Sequence, residues 1–350
     1  MAKRDGQLSL GAFLLYTGHH LAAWRHPGAC ESTSLADFVK FAQIAEAAKF
    51  DAIFLADGVN LRTNDLEAAS RKAHSGFYPF EPITLLSALA TATSQIGLVA
   101  TASTSFSDPY NLARQFASLD HLSGGRAGWN LVTSADPGAA FNFSRDAVIE
   151  HADRYKRAEE FVDVVTGLWD TCEDDAIVRD RQSGRYFDPH KVHPLHHRGA
   201  FFQVRGPLNI PRPPQGHPVV VQAGSSEPGK ELAARTAEAI FTAQQTLEGS
   251  IAFYSDIKAR LAKYGRSAED IKILPGVFPV VGRTRQEAQD KFDQLQELIE
   301  PAVGIDMLAD LAGVEEVRKL PIDSLISELP ETEGGKSRRA LFLELAARKT

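Results

Sequence analysis

Short apolar runs alternate with longer segments of helical periodicity along most of the chain. The short runs are rich in β-branched and aromatic residues, which favours strands, and the longer segments space apolar residues as helices do. The predicted strands are Leu8–Leu15, Ala52–Ala56, Gly97–Ala102, Ala127–Val132, Pro218–Ala223, Ala239–Thr242 and Ile273–Val281. The predicted helices are Leu35–Lys49, Ile83–Thr93, Leu112–Leu122, His151–Trp169, Lys230–Thr236, Leu247–Tyr264 and Arg285–Ile299. Because parallel strands need crossover connections, this alternation predicts a parallel α/β sheet.

We expect this sheet to be a parallel (β/α)8 barrel of TIM type that forms one domain over residues 1–350. An open doubly wound sheet would show the same alternation, but no GxGxxG turn follows the first strand. Only seven strand–helix units can be counted, whereas a barrel of this class has eight. The eighth unit is therefore expected to be missing at the C-terminus, leaving a truncated form that is poorly stable or inactive alone, unless Phe201–Val204 completes the barrel.

Two segments interrupt the alternation. Residues 170–214 are rich in His, Arg, Pro and aromatic residues, with an extended piece around Gly199–Val204, and are predicted to form an insertion between the fourth helix and the fifth strand. Insertions of this length are typically lids or binding loops, although a surface excursion without function is an alternative. Residues 300–336 are predicted to be a second, irregular insertion, followed by a final helix over Lys336–Arg348.

Composition restricts the classes of function. A net charge of −7 and a pI near 5.9 argue against a nucleic-acid or an anionic-membrane partner, because both require clustered positive charge. Cys30 and Cys172 are too few and too far apart for a disulfide framework, which fits a reducing cytoplasm. We see no signal peptide and no apolar stretch near the ~20 residues of a membrane helix. A cytoplasmic enzyme is the expected class.

The predicted strands turn polar where they end. In a β/α barrel these carboxyl ends form the active site, and neutral hydrogen-bonding groups there suit a large, mostly uncharged ligand such as a flavin ring. Such residues are Thr101, Ser103, Asn130, Thr133, Gln222, Thr242 and Gln244. The turn Gln222–Gly229 contains Ser225 and Ser226 just before a predicted helix, where backbone N–H groups can bind a phosphate. A plain N-cap by Ser226 is equally compatible with that turn.

Other candidate chemistry is weaker. His151 and Tyr155 are four residues apart and share one helix face, so they could contact a phosphate or a flavin edge, but most such pairs are surface packing. His19, His20 and the insertion histidines lack the paired carboxylates of a metallohydrolase, so no metal is expected. No GxSxG or P-loop motif is present, and no catalytic side chain is assigned.

Several long motifs occur in order and carry a family resemblance. They are Phe50–Gly58, Ala102–Phe116, Leu119–Thr133, His151–Phe161, Gly206–Ile210 and Gly224–Gly229. The chain resembles the group of luciferase-like flavin monooxygenases that contains nitrilotriacetate monooxygenase component A and dibenzothiophene-sulfone monooxygenase. The resemblance spans essentially the whole chain.

The resemblance implies the oxygenase component of a two-component monooxygenase. It would take reduced FMN (FMNH2) from a separate NAD(P)H-dependent flavin reductase and form a C4a-(hydro)peroxyflavin. That species would oxygenate a small organic substrate such as a chelating amine, a sulfone or other sulfur compound, or an alkane. A homo-oligomer, either a dimer or a tetramer, is also expected. The implied flavin contacts are Asp57, Thr101, Ser103, His151, Tyr155, Ser225 and Ser226, with Asn130 and Thr133 as further candidates.

Two alternatives remain open at this point. A luciferase-like barrel could use the deazaflavin F420 as a hydride carrier without oxygen. Alternatively, a truncated barrel could bind flavin without activity.

Overall fold

The computed structural model describes residues 8–30, 34–61, 66–73, 77–312, 314–319, 321 and 343. Its main feature is one sheet of seven parallel strands in sequential order. The strands are β1 Gly11–Phe13, β2 Ala52–Leu55, β3 Gly97–Ser103, β4 Ala127–Val132, β5 Val219–Gln222, β6 Ala239–Thr242 and β7 Lys272–Pro275. The sheet curves into a nearly closed barrel, so that the rings of Phe13 on β1 and Phe241 on β6 lie 6.5 Å apart. Within the described ranges, β1 and β7 do not pair with each other.

In the part of the chain that the structure describes, ten α-helices with defined bounds accompany the strands. They are α1 Leu35–Ala47, α2 Leu66–Ser70, α3 Pro82–Ala90, α4 Pro109–Ser123, α5 Pro137–Asn142, α6 His151–Trp169, α7 Glu227–Thr236, α8 Leu247–Leu261, α9 Arg285–Glu297 and α10 Pro301–Ala312. Three of them begin in the same way, because Glu81, Asp108 and Asp136 each accept backbone N–H groups ahead of a proline in the first turn. Acidic caps followed by proline are favourable helix starts, since proline lacks the N–H that would otherwise need a partner.

The core lies between the sheet and its outer helices. Trp129 on β4 is fully buried against Phe116 of α4 and Phe161 of α6, with ring centroids 6.0 and 5.8 Å away. Its indole N–H donates to the Ala102 carbonyl at 3.0 Å, so the buried polar atom has a partner. The packing of Phe161 on Trp129 fixes α6, which carries two of the predicted flavin contacts, against β4.

Arg126 lies just before β4, at the amino-terminal end of the barrel. All five N–H donors of its guanidinium are used, on the carbonyls of Ala90, Thr93, Ile96 and Ser123 and on the Thr93 hydroxyl, at 2.7 to 3.1 Å. Nearby, the Glu46 carboxylate accepts the backbone N–H groups of residues 94–96, and these bonds lower its pKa. The two side chains together hold the loop that leads into β3.

The predicted elements agree with the structure most closely in the middle of the sheet. β4, β6 and α6 have the predicted bounds, whereas β1 covers only Gly11–Phe13 of the expected Leu8–Leu15. β7 ends at Pro275 and does not continue to Val281, which is 74% exposed. Within the described residues, β1 and β7 each pair with one neighbouring strand, whereas β4 pairs with two. Fewer ladder hydrogen bonds therefore support β1 and β7, and both strands end early. The short helices α2 and α5 were not predicted.

The insertion over residues 170–214 forms a short antiparallel hairpin, His197–Arg198 with Gln203–Val204. The alternative in which Phe201–Val204 completes the barrel is therefore wrong, because residues 203 and 204 pair with residues 197 and 198 of the insertion. The hairpin is held on α6 by Glu160, which accepts His197 Nε2 at 3.0 Å and the backbone N–H groups of Phe201 and Phe202 at 3.0 and 2.8 Å. These contacts hold the hairpin against α6, and a lid role for the insertion stays a prediction.

Residues 301–312, expected to be irregular, form helix α10, and a 3-10 helix follows over Glu315–Lys319. α10 docks through a buried ion cluster in which Asp306 accepts Lys72 Nζ at 2.5 Å and Arg318 Nε at 2.8 Å. A long-range charge cluster of this kind is invisible to local periodicity, which explains why the helix was missed. The rest of the predicted irregular segment, and the final helix over Lys336–Arg348 apart from residue 343, lie outside the described residues.

Candidate functional site

Two predicted site residues meet inside the barrel. Thr101 on β3 and Asn130 on β4 are register partners, and both are buried. The Asn130 side-chain N–H donates to the Thr101 hydroxyl at 2.9 Å, and that hydroxyl donates to the Leu55 carbonyl of β2 at 2.7 Å. The chain of bonds crosses three strands and fixes the orientation of the Asn130 amide.

The other amide atom of Asn130 has no such partner. Its Oδ1 is buried and accepts no hydrogen bond from any described residue. A buried acceptor without a donor is costly and uncommon in proteins, unless a ligand supplies the donor. Asn130 Oδ1 is therefore suited to accept an N–H group of a ligand bound at the strand ends.

The ends of β3 and β4 carry two more predicted residues. Ser103 is the last residue of β3, and its buried hydroxyl accepts the backbone N–H of Ser105 at 3.1 Å. Thr133 follows directly after β4 and is half-buried. Both add neutral polar groups to the same end of the barrel.

Asp57 lies two residues after β2 and is half-buried. Burial raises the pKa of its carboxyl, and the negative charge of the neighbouring Glu81 raises it further. A hydrogen bond from the backbone N–H of Gly58 acts in the opposite direction and lowers this pKa. This carboxyl therefore keeps its proton to a higher pH than an exposed aspartate does.

A second group of predicted residues lies between α6 and the turn after β5. The rings of His151 and Tyr155, one helical turn apart on α6, are 4.9 Å apart. The Ser226 hydroxyl donates to the Tyr155 hydroxyl at 3.3 Å and accepts the Gly229 N–H at 3.3 Å. The N-cap interpretation of Ser226 is thus confirmed, and the cap also contacts α6. Ser225 precedes it in the same turn and is half-buried.

Two glycines make this turn concave. A Cβ atom on Gly224 would lie 3.0 Å from the Gly229 Cα, and one on Gly229 would lie 3.0 Å from the Tyr155 hydroxyl oxygen. Contacts of 3.0 Å are tighter than nine in ten real Cβ contacts, so a side chain at either position would force its neighbour to shift. The turn exposes the start of α7 together with hydroxyl groups, which suits a phosphate.

The structure thus brings the predicted residues together in two groups, Thr101 with Asn130 and His151 with Tyr155 and Ser226. Asp57, Ser103, Thr133 and Ser225 occupy neighbouring strand ends. Both groups suit FMN, because neutral polar atoms and an unpaired buried acceptor fit a flavin ring, and a serine-rich helix start fits its phosphate.

Among the described residues, no group of three or more His, Cys, Asp or Glu side chains could hold a metal ion. In the same part of the chain, no helix has both the length and the apolar character needed to cross a membrane.

Comparison with known proteins decides the family. The luciferase-like monooxygenase family matches residues 12–336, most of the chain. The chain belongs to this family. The expected family membership, the barrel fold and the monooxygenase class are thereby confirmed. The chain is an enzyme of the luciferase-like type.

Two curated relatives of this luciferase-like monooxygenase are about equally similar to it. Nitrilotriacetate monooxygenase component A from Aminobacter aminovorans is 50% identical, over 98% of this chain and 78% of the relative. N-acetyl-S-(2-succino)cysteine monooxygenase from Bacillus subtilis (strain 168) is 49% identical, over 99% of this chain and 78% of the relative.

Solved structures agree with the fold. A riboflavin lyase with modified FMN and riboflavin superposes with a TM-score of 0.87 at 34% identity, covering 96% of this chain and 76% of the other. A long-chain alkane monooxygenase has a TM-score of 0.86 at 34% identity, covering 97% and 79%. One of these two neighbours thus holds a flavin on the same fold.

Proposed function

We propose that the chain is the oxygenase component of a two-component monooxygenase that uses FMNH2 supplied by a separate NAD(P)H-dependent flavin reductase. Its substrate is a small organic molecule that carries several carboxylates. Family membership supports the monooxygenase class, and the solved relative with modified FMN supports the choice of flavin.

The observation that carries this proposal is the unpaired Asn130 Oδ1. The Thr101 hydroxyl occupies the amide N–H of Asn130 and so leaves Oδ1 as the free acceptor of that side chain. A flavin ring carries N–H groups on its polar edge, and its reduced form carries more of them than its oxidised form. An acceptor at this place therefore favours reduced FMN over oxidised FMN.

The remaining predicted residues bind and orient the cofactor in this proposal. Tyr155, Ser225, Ser226 and the N–H groups at the start of α7 hold the phosphate, with His151 packed on Tyr155. The Asp57 carboxyl, whose pKa burial and Glu81 raise, forms a hydrogen bond to the cofactor in this proposal. Ser103 and Thr133 lie against the ring.

When bound, reduced FMN supplies the two electrons with which one oxygen atom of O2 enters the substrate and the other becomes water. The chain itself positions the cofactor and the substrate and excludes bulk water from them. The apolar strand bodies below Thr101 and Asn130 provide the dry environment.

The substrate class follows from the relatives. The two curated relatives at about equal identity act, by their names, on nitrilotriacetate and on N-acetyl-S-(2-succino)cysteine. Both compounds carry several carboxylates around a nitrogen or sulfur atom. We extend this class of substrate to the chain, together with a homo-oligomeric state (a dimer or a tetramer) and a cytoplasmic location.

Anaerobic titration of the purified chain tests the cofactor. We expect FMNH2 to bind more tightly than FMN, and FMN more tightly than riboflavin, which lacks the phosphate. The oxygenase role is tested with an oxygen electrode, a flavin reductase, NADH and a panel of polycarboxylates, sulfones and alkanes. NADH oxidation by the chain without reductase, or saturation by reduced F420 in place of FMNH2, would contradict the proposal.

A further inference from the structure

Two arginines in the segment between β4 and β5 take no part in the predicted flavin contacts. Arg145 follows α5, and its guanidinium carbon lies 5.6 Å from the centre of the Phe106 ring. Arg157 on α6 lies 4.5 Å from the centre of the Phe202 ring. Phe106 and Phe143 stack on each other with centroids 5.0 Å apart and an interplanar angle of 21°. The positive charge of Arg145 acts on Arg157, so these arginines and rings form one patch, on segments that follow β3 and β4 in the chain.

Arg157 has a donor without a partner. Its Nη1 atom is buried and makes no hydrogen bond within the described residues. The two nearby carboxylates bind elsewhere, because Asp108 caps α4 through the N–H groups of Tyr110 and Asn111. Glu160 accepts His197 and the backbone of the insertion hairpin. A buried guanidinium in this state lacks the anionic partner that usually accompanies buried charge.

The electrostatics agree with this geometry. Burial, and then repulsion by Arg145, lowers the pKa of Arg157 to about 10. The negative charges of Asp108 and Glu160 act in the opposite direction and raise this pKa. The side chain therefore stays charged at neutral pH, and two like charges act on each other across the patch. An anion bound between them would remove this repulsion.

The patch is separate from the predicted phosphate site. Tyr155 and Arg157 are two residues apart on α6, so they point to opposite sides of the helix. Tyr155 faces Ser226, whereas Arg157 shares its side with Phe161, whose ring packs on Trp129. The predicted phosphate site and Arg157 thus lie on different sides of α6.

We propose that Arg145 and Arg157 bind a carboxylate of the substrate, and that the stacked rings of Phe106 and Phe143 pack on its adjoining apolar part. This assignment rests on the proposed function and makes the two arginines specificity-determining residues. A planar guanidinium binds a carboxylate through paired hydrogen bonds, which lysine does not reproduce. Neutral substrates of the same size would gain nothing from the patch.

The test measures ligand affinity without turnover. Nitrilotriacetate and N-acetyl-S-(2-succino)cysteine are titrated calorimetrically into the chain saturated with FMN, and FMN and riboflavin are titrated separately. The variants are Arg157→Gln, Arg145→Gln and Arg157→Lys. The matched control is Arg179→Gln, because Arg179 also lies over an aromatic ring, that of Tyr186 at 5.9 Å, but within the insertion.

We expect each glutamine variant to weaken binding of at least one polycarboxylate about ten- to a hundredfold, the scale of a charged hydrogen bond. Arg157→Lys should fall between parent and glutamine variant, the control should match the parent, and FMN affinity should not change. If Arg157→Gln does not fold, Arg145→Gln decides, since Arg145 is only half-buried.

Three results would overturn the assignment. The first is failure of both polycarboxylates to bind the parent protein, and the second is equal binding by parent and variants. The third is weaker FMN binding with unchanged riboflavin binding, which would make the arginines phosphate ligands. If FMNH2-dependent oxygenation of an organic substrate persists in any of these cases, the proposed oxygenase role stands and only this inference fails.

Discussion

The Ser226 hydroxyl donates to the Tyr155 hydroxyl at 3.3 Å, although the two residues are 71 positions apart in the chain. Ser226 begins α7 and Tyr155 lies in the second turn of α6, so the bond connects two helices that follow different strands. A phosphate bound at the start of α7 would therefore meet a hydroxyl from each helix.

Substitution of either residue should weaken phosphate-dependent flavin binding. We expect Tyr155→Phe and Ser226→Ala each to cost ~1–2 kcal/mol of FMN binding, the scale of a hydrogen bond to a charged group. In a double variant the two losses should not add, because the hydroxyls contact each other. Fluorescence titration with FMN and riboflavin measures the effect, and riboflavin affinity should change little.

Ser226→Ala also removes a helix cap, which needs its own control. Thr246→Ala serves, because Thr246 caps α8 through the Gly249 N–H at 3.0 Å as Ser226 caps α7. Both variants should lose about 1 kcal/mol of stability, but only Ser226→Ala should lose FMN affinity. Equal FMN binding by the two variants would argue against a phosphate at the α7 start.

Removal of the unpaired Asn130 acceptor should lower flavin affinity but leave the stability of the flavin-free protein nearly unchanged. In Asn130→Leu the buried Oδ1 disappears, so the free energy of unfolding of the flavin-free protein should change by less than about 1 kcal/mol. Flavin affinity should fall about tenfold, because the ring loses its acceptor. Urea unfolding and anaerobic FMNH2 titration measure the two quantities. Unchanged flavin affinity in this variant would remove the argument for a ring at Asn130.

Acid should weaken the contact between α7 and α8. Hydrogen bonds from Lys263 and then Tyr264 hold the pKa of Glu231 down to about 2, below its ordinary 4.5. Because the folded-state pKa is depressed, this stabilisation is present above pH 4.5 and is lost as the pH falls toward 2. After a discount for solvent screening, it amounts to about 1–2 kcal/mol.

Urea unfolding at pH 7 and pH 3 measures this effect. Glu231→Gln should lower the stability at pH 7 and reduce the difference between the two pH values. Glu269→Gln is the control, because Glu269 pairs with Lys272 at 3.5 Å on an exposed surface and should change little. The same pH difference in the parent and in Glu231→Gln would contradict the prediction.

The insertion hairpin should loosen without Glu160. Its carboxylate holds the backbone N–H groups of Phe201 and Phe202, so Glu160→Ala should speed hydrogen exchange at those two amides. Exchange in α6 beyond Glu160 should stay slow. Glu173→Ala is the comparison, since Glu173 bonds the half-exposed side chain of His193 in the same insertion at 2.9 Å. Equal protection of Phe201 in both variants would show that the hairpin does not depend on Glu160.

The elements that the sequence predicted best are those whose residues face uniform surroundings. β4 is buried on both faces and α6 along the face that carries Phe161, and their apolar pattern alone identified their ends. The ends of β1 and β7 depend on which strand lies beside them, and α10 depends on an ion cluster with Lys72. Those contacts join distant parts of the chain and leave no local pattern.

The candidate site divides in the same way. The strand-end position of Thr101 and Asn130, and the cap of Ser226, followed from local order and from barrel geometry. The unpaired state of Asn130 Oδ1 and the hydrogen bond between Ser226 and Tyr155 could be seen only in the three-dimensional structure. Arg145 and Arg157 were missed, because arginines near a helix start usually lie on a solvated face. Only burial distinguishes Arg157 from Lys156 beside it, which is exposed.

The five hydrogen bonds of Arg126 have a consequence for how such an enzyme can diverge. They hold the loop before β3 at the end of the barrel opposite to Thr101 and Asn130. Mutations around the Arg145 loop therefore do not disturb the bonds at the other end. Lineages can then exchange one substrate for another by small steps in the mouth loops, without first acquiring compensating changes in the barrel. The names of the similar proteins range from a chelating acid to a long-chain alkane, so this fold serves chemically dissimilar substrates.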